Sequence, residues 1–232
     1  MKTNHRTRRG FTLVELLVVI VIIAALAGLT APMVIRQRKK ADQTEAVNNA
    51  RQIGLALFEF ETEYGKFPDS ETAQSVATAT DTTAASGDSA NDRFRQLIRA
   101  GIAQSEAMFY AKTAFTKKPD NIYNTDEKAL EAGEVGFGMI TKADGKGLSA
   151  SGNPSRPIIA APFTETLDGR FDSDFYDGKA VVLKLDNSAT SLNIVKTSGK
   201  VLMNGKDLLA TGDDTVWGTE TTPQFAYPEK RN

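Results

Sequence analysis

Residues 8–26 read RRGFTLVELLVVIVIIAAL, an apolar run that starts abruptly after two arginines and a glycine and carries one carboxylate, Glu15. From Phe11 to Ile35 there are 25 residues, and only Thr12, Glu15 and Thr30 among them are polar. As a helix the run spans about 37 Å, enough to cross a hydrocarbon core of ~30 Å. Arg36, Arg38, Lys39 and Lys40 close its far end. Two readings fit: a helix that stays in a membrane, or a secretory signal that is removed. A signal core is shorter, ~7–15 residues, and ends at a small-residue cleavage site. This run is longer and leads into more helix-like sequence, which puts the membrane helix first. Lys2–Arg9 then lie in the cytoplasm, although the basic cluster at 36–40 competes. Glu15 would cost roughly 2.5–3.5 kcal/mol at mid-membrane depth. It therefore either lies near the headgroups or has a cationic partner.

The rest of the chain is of a different character. Its 232 residues have a formal net charge of −1. Lys2, Arg6, Arg8 and Arg9 are four of the 28 basic residues, and the remaining 24 face 29 acidic ones, a formal −5. A body with that balance has no basic footprint for nucleic acid. The chain has no Cys and a single His, His5. Disulfides and thiolate chemistry are excluded. If the N-terminal stretch is removed, histidine-based triads and the usual zinc sites are excluded too.

Gly10-Phe11-Thr12-Leu13-Val14-Glu15, after Arg8-Arg9 and before an apolar run containing Pro32, resembles the class III signal of type IV pilins and type II secretion pseudopilins. The resemblance covers residues 6 to about 40 closely and extends loosely to Pro68. It implies cleavage between Gly10 and Phe11 by a prepilin peptidase, N-methylation of Phe11, and a helix that serves first as membrane anchor and then as filament core. Cleavage would create a cation at Phe11, one helical turn from Glu15 at i, i+4. In the family, this carboxylate is thought to meet the Phe11 amine of a neighbouring subunit, so that pairing selects one axial register.

The resemblance and the patterning together predict an α+β, pilin-like fold, with a long N-terminal helix packed on an antiparallel β-sheet head. Residues 1–10 are the leader, 11–35 the transmembrane or filament-core helix, 36–64 its amphipathic continuation, and 65–232 the globular head. In 36–64 an apolar stripe runs through Ala46, Val47, Ala50, Ile53, Gly54, Leu57, Phe58, Phe60 and Tyr64. Gly65 reads as the C-cap and Pro68 as the stop. Gly28 and Pro32 mark a point of kinking or melting. EYGKFPDS resembles the turn that leaves the long helix in major pseudopilins. Residues 70–92, rich in Ser, Thr, Ala and Asp, read as a flexible loop. Residues 92–112 read as a second helix capped by Asn91 or Asp92, and NTDEKALEAGE as a third. Short β-rich runs follow at 135–140, 156–163, 179–186 and 190–197, with a hairpin around Asp186-Asn187-Ser188 and a last strand and turn in GKVLMNGKDLL.

Asp168, Asp172, Asp174 and Asp177 form the densest carboxylate group, and major pseudopilins bind calcium in a C-terminal loop. The spacing here is off by one from the D-x-[DN]-x-[DN]-G pattern, so a solvated acidic turn is the first reading and calcium the second. Asp213-Asp214-Thr215-Val216-Trp217-Gly218 faintly resembles the Asp-Pro-Trp-Gly of major pseudopilins, with Trp217 as a packing anchor. Glu59, Glu61 and Glu63 read as a solvated helix face.

These readings predict a structural subunit and not an enzyme, without a cofactor unless calcium binds. It would form a helical filament of its own copies after residence in the bacterial inner membrane. The resemblance implies as partners a prepilin peptidase and N-methyltransferase, an assembly platform protein, a cytoplasmic ATPase, and minor pilins or pseudopilins. A type II secretion pseudopilus supporting protein export is the first reading, and a type IV pilus for adhesion, motility or DNA uptake the second. A membrane-anchored or secreted enzyme using carboxylates is the rival of a different class.

Overall fold

One helix, α1, runs without a break from Leu13 to Tyr64 in a computed structural model that describes residues 11–125 and 128–231. The chain divides into two units, Met1–Arg38 and Lys39–Asn232. In the first unit every described residue is exposed. The helix continues through Gly28 and Pro32, with no melted turn. Pro32 offers no N–H to the Gly28 carbonyl, and the Thr30 hydroxyl donates to the Leu26 carbonyl at 3.0 Å just before it.

In the second unit α1 buries Ala46, Asn49, Ala50, Ile53, Gly54, Ala56, Leu57 and Phe60, the 3.6-residue stripe of an amphipathic helix. The small residues let the sheet come close. A Cβ on Gly54 would stand 2.0 Å from Asn187 Oδ1 and 3.0 Å from Leu183 Cδ2. Asn49 Nδ2 donates to the carbonyls of Ala107 (3.1 Å) and Tyr110 (2.9 Å). Gly65, at φ +82°, ends the helix in the left-handed conformation expected of a C-cap glycine.

The stretch expected as a loop at 70–92 is largely helical: α2 spans Ser70–Thr80 and α3 spans Ala90–Arg99. Composition misled here because the helix is set by its cap. The Asp69 side chain accepts from the N–H groups of Glu71 and Thr72, both at 2.9 Å, and Thr72 Oγ1 accepts from Asp69 N at 2.8 Å. Thr72, Ala73 and Val76 then face inward. Only residues 81–89 connect the two helices. The expected helix over 92–112 is also shorter and starts earlier. Ser89 caps it, Asp92 closes the capping box, and Gly101 at φ +74° follows its end. A separate 3₁₀ turn, Glu106–Phe109, comes next. The third helix, expected from NTDEKALEAGE, is replaced by turns among its described residues; Asp126 and Glu127 lie outside them.

The sheet has seven strands: β1 Gly138–Lys142, β2 Pro157–Ala161, β3 Lys179–Lys184, β4 Ala189–Val195, β5 Lys200–Met203, β6 Lys206–Asp207 and β7 Pro223–Ala226. Their order is β6-β5-β4-β3-β2-β1-β7, every neighbouring pair antiparallel. All of β2 and the centre of β3 are buried, which is why they read as continuous apolar runs instead of alternating ones. The hairpin at Asp186–Ser188 joins β3 to β4 as expected, with Asn187 at φ +61°. Strand β7 went unforeseen. It pairs with β1 from Lys142↔Pro223 to Met139↔Ala226, and Pro is tolerated at its edge position. It brings Phe225 and Tyr227 against Phe163, with ring centroids 4.9 and 5.4 Å apart.

Candidate functional site

The N-terminal turn of α1 is built around Glu15. Thr12 precedes the first helical residue, Leu13, and Glu15 stands three residues after it. The Thr12 N–H donates to Glu15 Oε2 at 2.8 Å, the Thr12 hydroxyl donates to the same oxygen at 2.7 Å, and Glu15 N lies 3.2 Å from the Thr12 hydroxyl oxygen. This is the reciprocal arrangement of a capping box, and it satisfies two of the amides that a helix start leaves open. Sequence reasoning assigned Glu15 only to a membrane position or a cationic partner. The T-x-x-E spacing at 12–15 is the signal that pointed to this second role. Phe11 lies beside the turn, 76% exposed. Gly10 lies outside the described residues, so the geometry of the expected cut is described on the Phe11 side alone.

The apolar surface that follows is the largest chemical feature of the first unit. Leu13, Val14, Leu16, Leu17, Val18, Val19, and the aliphatic residues from Ile20 to Ile35 are exposed without exception. Monomeric soluble proteins rarely expose apolar patches beyond a few hundred Å². The stretch is long and apolar enough to cross a membrane. Its surface can be covered by lipid or by other helices of the same kind.

Other residues singled out by sequence are placed in the head. Asp69, in EYGKFPDS, is wholly buried and acts as a hub. Besides capping α2 it accepts from Gly147 N at 3.0 Å and pairs with Lys66 at 2.7 Å. Burial pushes its carboxyl up, but the bonds from Lys66, Thr72 and Gly147 outweigh that and hold it below the usual carboxylate range. Glu61 is no solvated residue. It accepts from Ser149 Oγ at 2.6 Å and from Ala150 N at 2.9 Å, fastening α1 to the head, whereas Glu59 and Glu63 are exposed as expected. Trp217 is buried, its Nε1 donating to the Leu208 carbonyl at 2.8 Å, with the Arg156 guanidinium 5.6 Å from its ring centroid.

In the acidic turn, Asp168 pairs with Arg170 at 2.6 Å, and the arginine beside it pulls its carboxyl down to about 2. Asp172 accepts from Asp174 N at 2.8 Å, and Asp177 adopts φ +55°. Among the described residues, no three of Asp168, Asp172, Asp174 and Asp177 bring carboxylate oxygens within 4.8 Å of one another.

Comparison with known proteins isolates the same N-terminal segment. Residues 5–31 match the prokaryotic N-terminal methylation motif. The chain bears that motif at its N-terminus. Motif and similarity extend unequally. Type II secretion system core protein G of Pectobacterium carotovorum is 26% identical over 130 residues, 56% of this chain and 70% of that relative. The protein of the same name from Aeromonas hydrophila is 37% identical over 68 residues, 29% of this chain and 48% of the relative, so the chain spans about half of it. A fimbrial protein of Neisseria meningitidis is 34% identical over 74 residues, 32% of this chain and 44% of that protein. No solved structure matches significantly. Among the described residues one helix, near the N-terminus, is long and apolar enough to cross a membrane, which fits a membrane-anchored subunit.

Proposed function

We propose that the chain is a subunit of a type II secretion-like pseudopilus, anchored in the inner membrane by α1 and polymerised through it to support protein export. The observation that carries this reading is the wholly exposed apolar surface of Leu13–Ile35, set directly behind the Glu15 turn of the methylation motif. The similarity to a type II secretion protein runs for 130 residues, well beyond the helix, while that to the meningococcal fimbrial protein covers 74. That difference favours the pseudopilus over a type IV pilus.

Processing would proceed in steps that the local chemistry makes reasonable. A peptidase cuts after Gly10 on the cytoplasmic side, and the freed Phe11 amine is methylated and remains a cation. Before the cut, Glu15 is satisfied by Thr12. After it, the same carboxylate has a charged alternative nearby, in its own chain or at the start of a neighbouring subunit. A charged partner in low dielectric outcompetes a hydroxyl, because an ion pair there is far stronger than in water. Assembly thus exchanges a local cap for an intersubunit ion pair, and the exposed leucines, isoleucines and valines lose lipid contact to one another. An assembly platform and a cytoplasmic ATPase would supply the energy of extraction.

The test is mass spectrometry of the mature protein together with filament imaging. A chain beginning with N-methylated Phe11 is expected. Glu15→Leu is expected to be processed and inserted yet to form no filaments, while Thr12→Ala, which removes the hydroxyl and keeps the carboxylate, still assembles. Normal filaments from Glu15→Leu would overturn the ion-pair reading, and a mature chain starting near Ala31 would overturn the filament reading as a whole.

A further inference from the structure

Three carboxylates outside every site considered above converge in the head. Glu106 opens the 3₁₀ turn, Asp120 lies in the loop that follows, and Glu134 stands just before the approach to β1. One oxygen from each lies within 4.8 Å of the other two. Glu106 and Glu134 are fully buried, while Asp120 is exposed and leaves a route for an ion.

Backbone amides fix the orientation of each group. Leu130 N donates to Glu106 Oε1 at 2.7 Å, Glu131 N to Glu134 Oε2 at 2.8 Å, and Ile122 N to Asp120 Oδ1 at 2.9 Å. Asp120 N also donates to Glu134 Oε1 at 3.3 Å, and Lys117 Nζ lies 3.5 Å from that oxygen. The second oxygen of Glu106 is the telling atom. It is buried and has no hydrogen-bond partner. A buried carboxylate oxygen left alone beside other carboxylates is strongly disfavoured. Lys117 does not relieve this, since its closest contact is Glu131, at 2.8 Å.

We propose that Glu106, Asp120 and Glu134 bind a divalent metal ion, with calcium as the cation of choice. The donors are all oxygen, which selects a hard cation over zinc or copper. Two oxygens bound to one calcium at ~2.3–2.6 Å are at most about 5 Å apart, a span the three carboxylates satisfy. A doubly charged ion offsets most of the negative charge of the three carboxylates, and water or loop carbonyls fill the remaining positions. The ion ties Glu106 to Asp120 and Glu134 across nearly thirty residues of irregular chain. This is the same segment whose Ala107 and Tyr110 carbonyls receive Asn49 of α1, so binding stabilises the head where that loop meets the helix. The site does not depend on the filament reading, and it is separate from the Asp168–Asp177 turn.

The experiment uses the full chain in detergent, stripped with chelator. It is titrated with calcium chloride through the roughly 0.1–1 mM range typical of extracellular modules, with calorimetry and thermal unfolding as readouts. One ion per chain and a higher melting temperature are expected. Asp120→Asn changes an exposed group, so the fold survives, and it should weaken calcium at least tenfold. Asp172→Asn should leave that affinity unchanged. Two results overturn the proposal: no calcium-dependent shift in the unmodified chain, or binding that Asp172→Asn removes and Asp120→Asn does not. A third would do the same: Glu106→Gln binding calcium with unaltered affinity.

Discussion

Leu17 and Leu57 belong to the same helix, yet Leu17 is 52% exposed and Leu57 is fully buried. Around Leu17 the apolar residues run on every side of the helix. Around Leu57 they form a stripe, with Arg51, Glu59 and Glu63 left outside. A helix that is apolar all round has no polar face to offer water, so what covers it must be lipid or other helices. An amphipathic helix finds its partner within its own chain. The two halves of α1 therefore share a backbone and divide the work: the second half holds the head together, and the first half is reserved for something outside the monomer.

That division can be broken by substitution. Phe60→Ala, in the stripe, is expected to lower the unfolding free energy of the detergent-solubilised protein by about 3–5 kcal/mol. Leu17→Ala should change it by less than ~0.5 kcal/mol. Equal losses in urea titrations of the two variants would contradict the comparison. Charge sharpens it further. Ile22→Lys should oppose membrane insertion by roughly 2.5–3.5 kcal/mol and move the chain out of the membrane fraction. Leu55→Lys, at a position 61% exposed in the second half, should remain membrane-bound with its stability altered by under ~0.5 kcal/mol. Cell fractionation reads both.

The smallest effect probes the turn that ends the second half. Asp69→Asn replaces an acceptor oxygen with a donor facing Lys66 and Gly147, and should cost about 1–3 kcal/mol at pH 7. The Asp69 carboxyl titrates below its ordinary value in the folded chain. Its contribution is therefore complete above the unfolded value of ~3.9 and is lost as pH falls through the folded one. The stability difference between wild type and Asp69→Asn should accordingly shrink as pH drops below about 4. A difference that stays constant from pH 7 to pH 3 would show that the charge on Asp69 contributes nothing.

Much of this was legible in the residues. The long helix, its C-cap at Gly65, the β3–β4 hairpin and the buried Trp217 follow from periodicity and turn chemistry. Helix α2 did not, because its signal is a cap and not a stripe: Asp69 and Thr72 outweigh a run of Thr, Ser and Ala that composition alone assigns to loop. Strand β7 was hidden by its length of four residues and its initial Pro. At the functional end, Glu15 stands out as a carboxylate in an apolar run, and the T-x-x-E spacing displays its bond to Thr12.

The sequence by itself determined where the chain is greasy, that it has no thiol chemistry, and which N-terminal motif it carries. These properties are local, fixed by the order of neighbouring residues. Only the tertiary structure decided that Glu61 grips Ser149 and Ala150, that Asp69 reaches Gly147, and that Glu106, Asp120 and Glu134 meet. Those partners lie from 14 to 89 positions apart. The irregular loops that bring them together are held by packing and by individual backbone hydrogen bonds, which leave no period in the sequence to read.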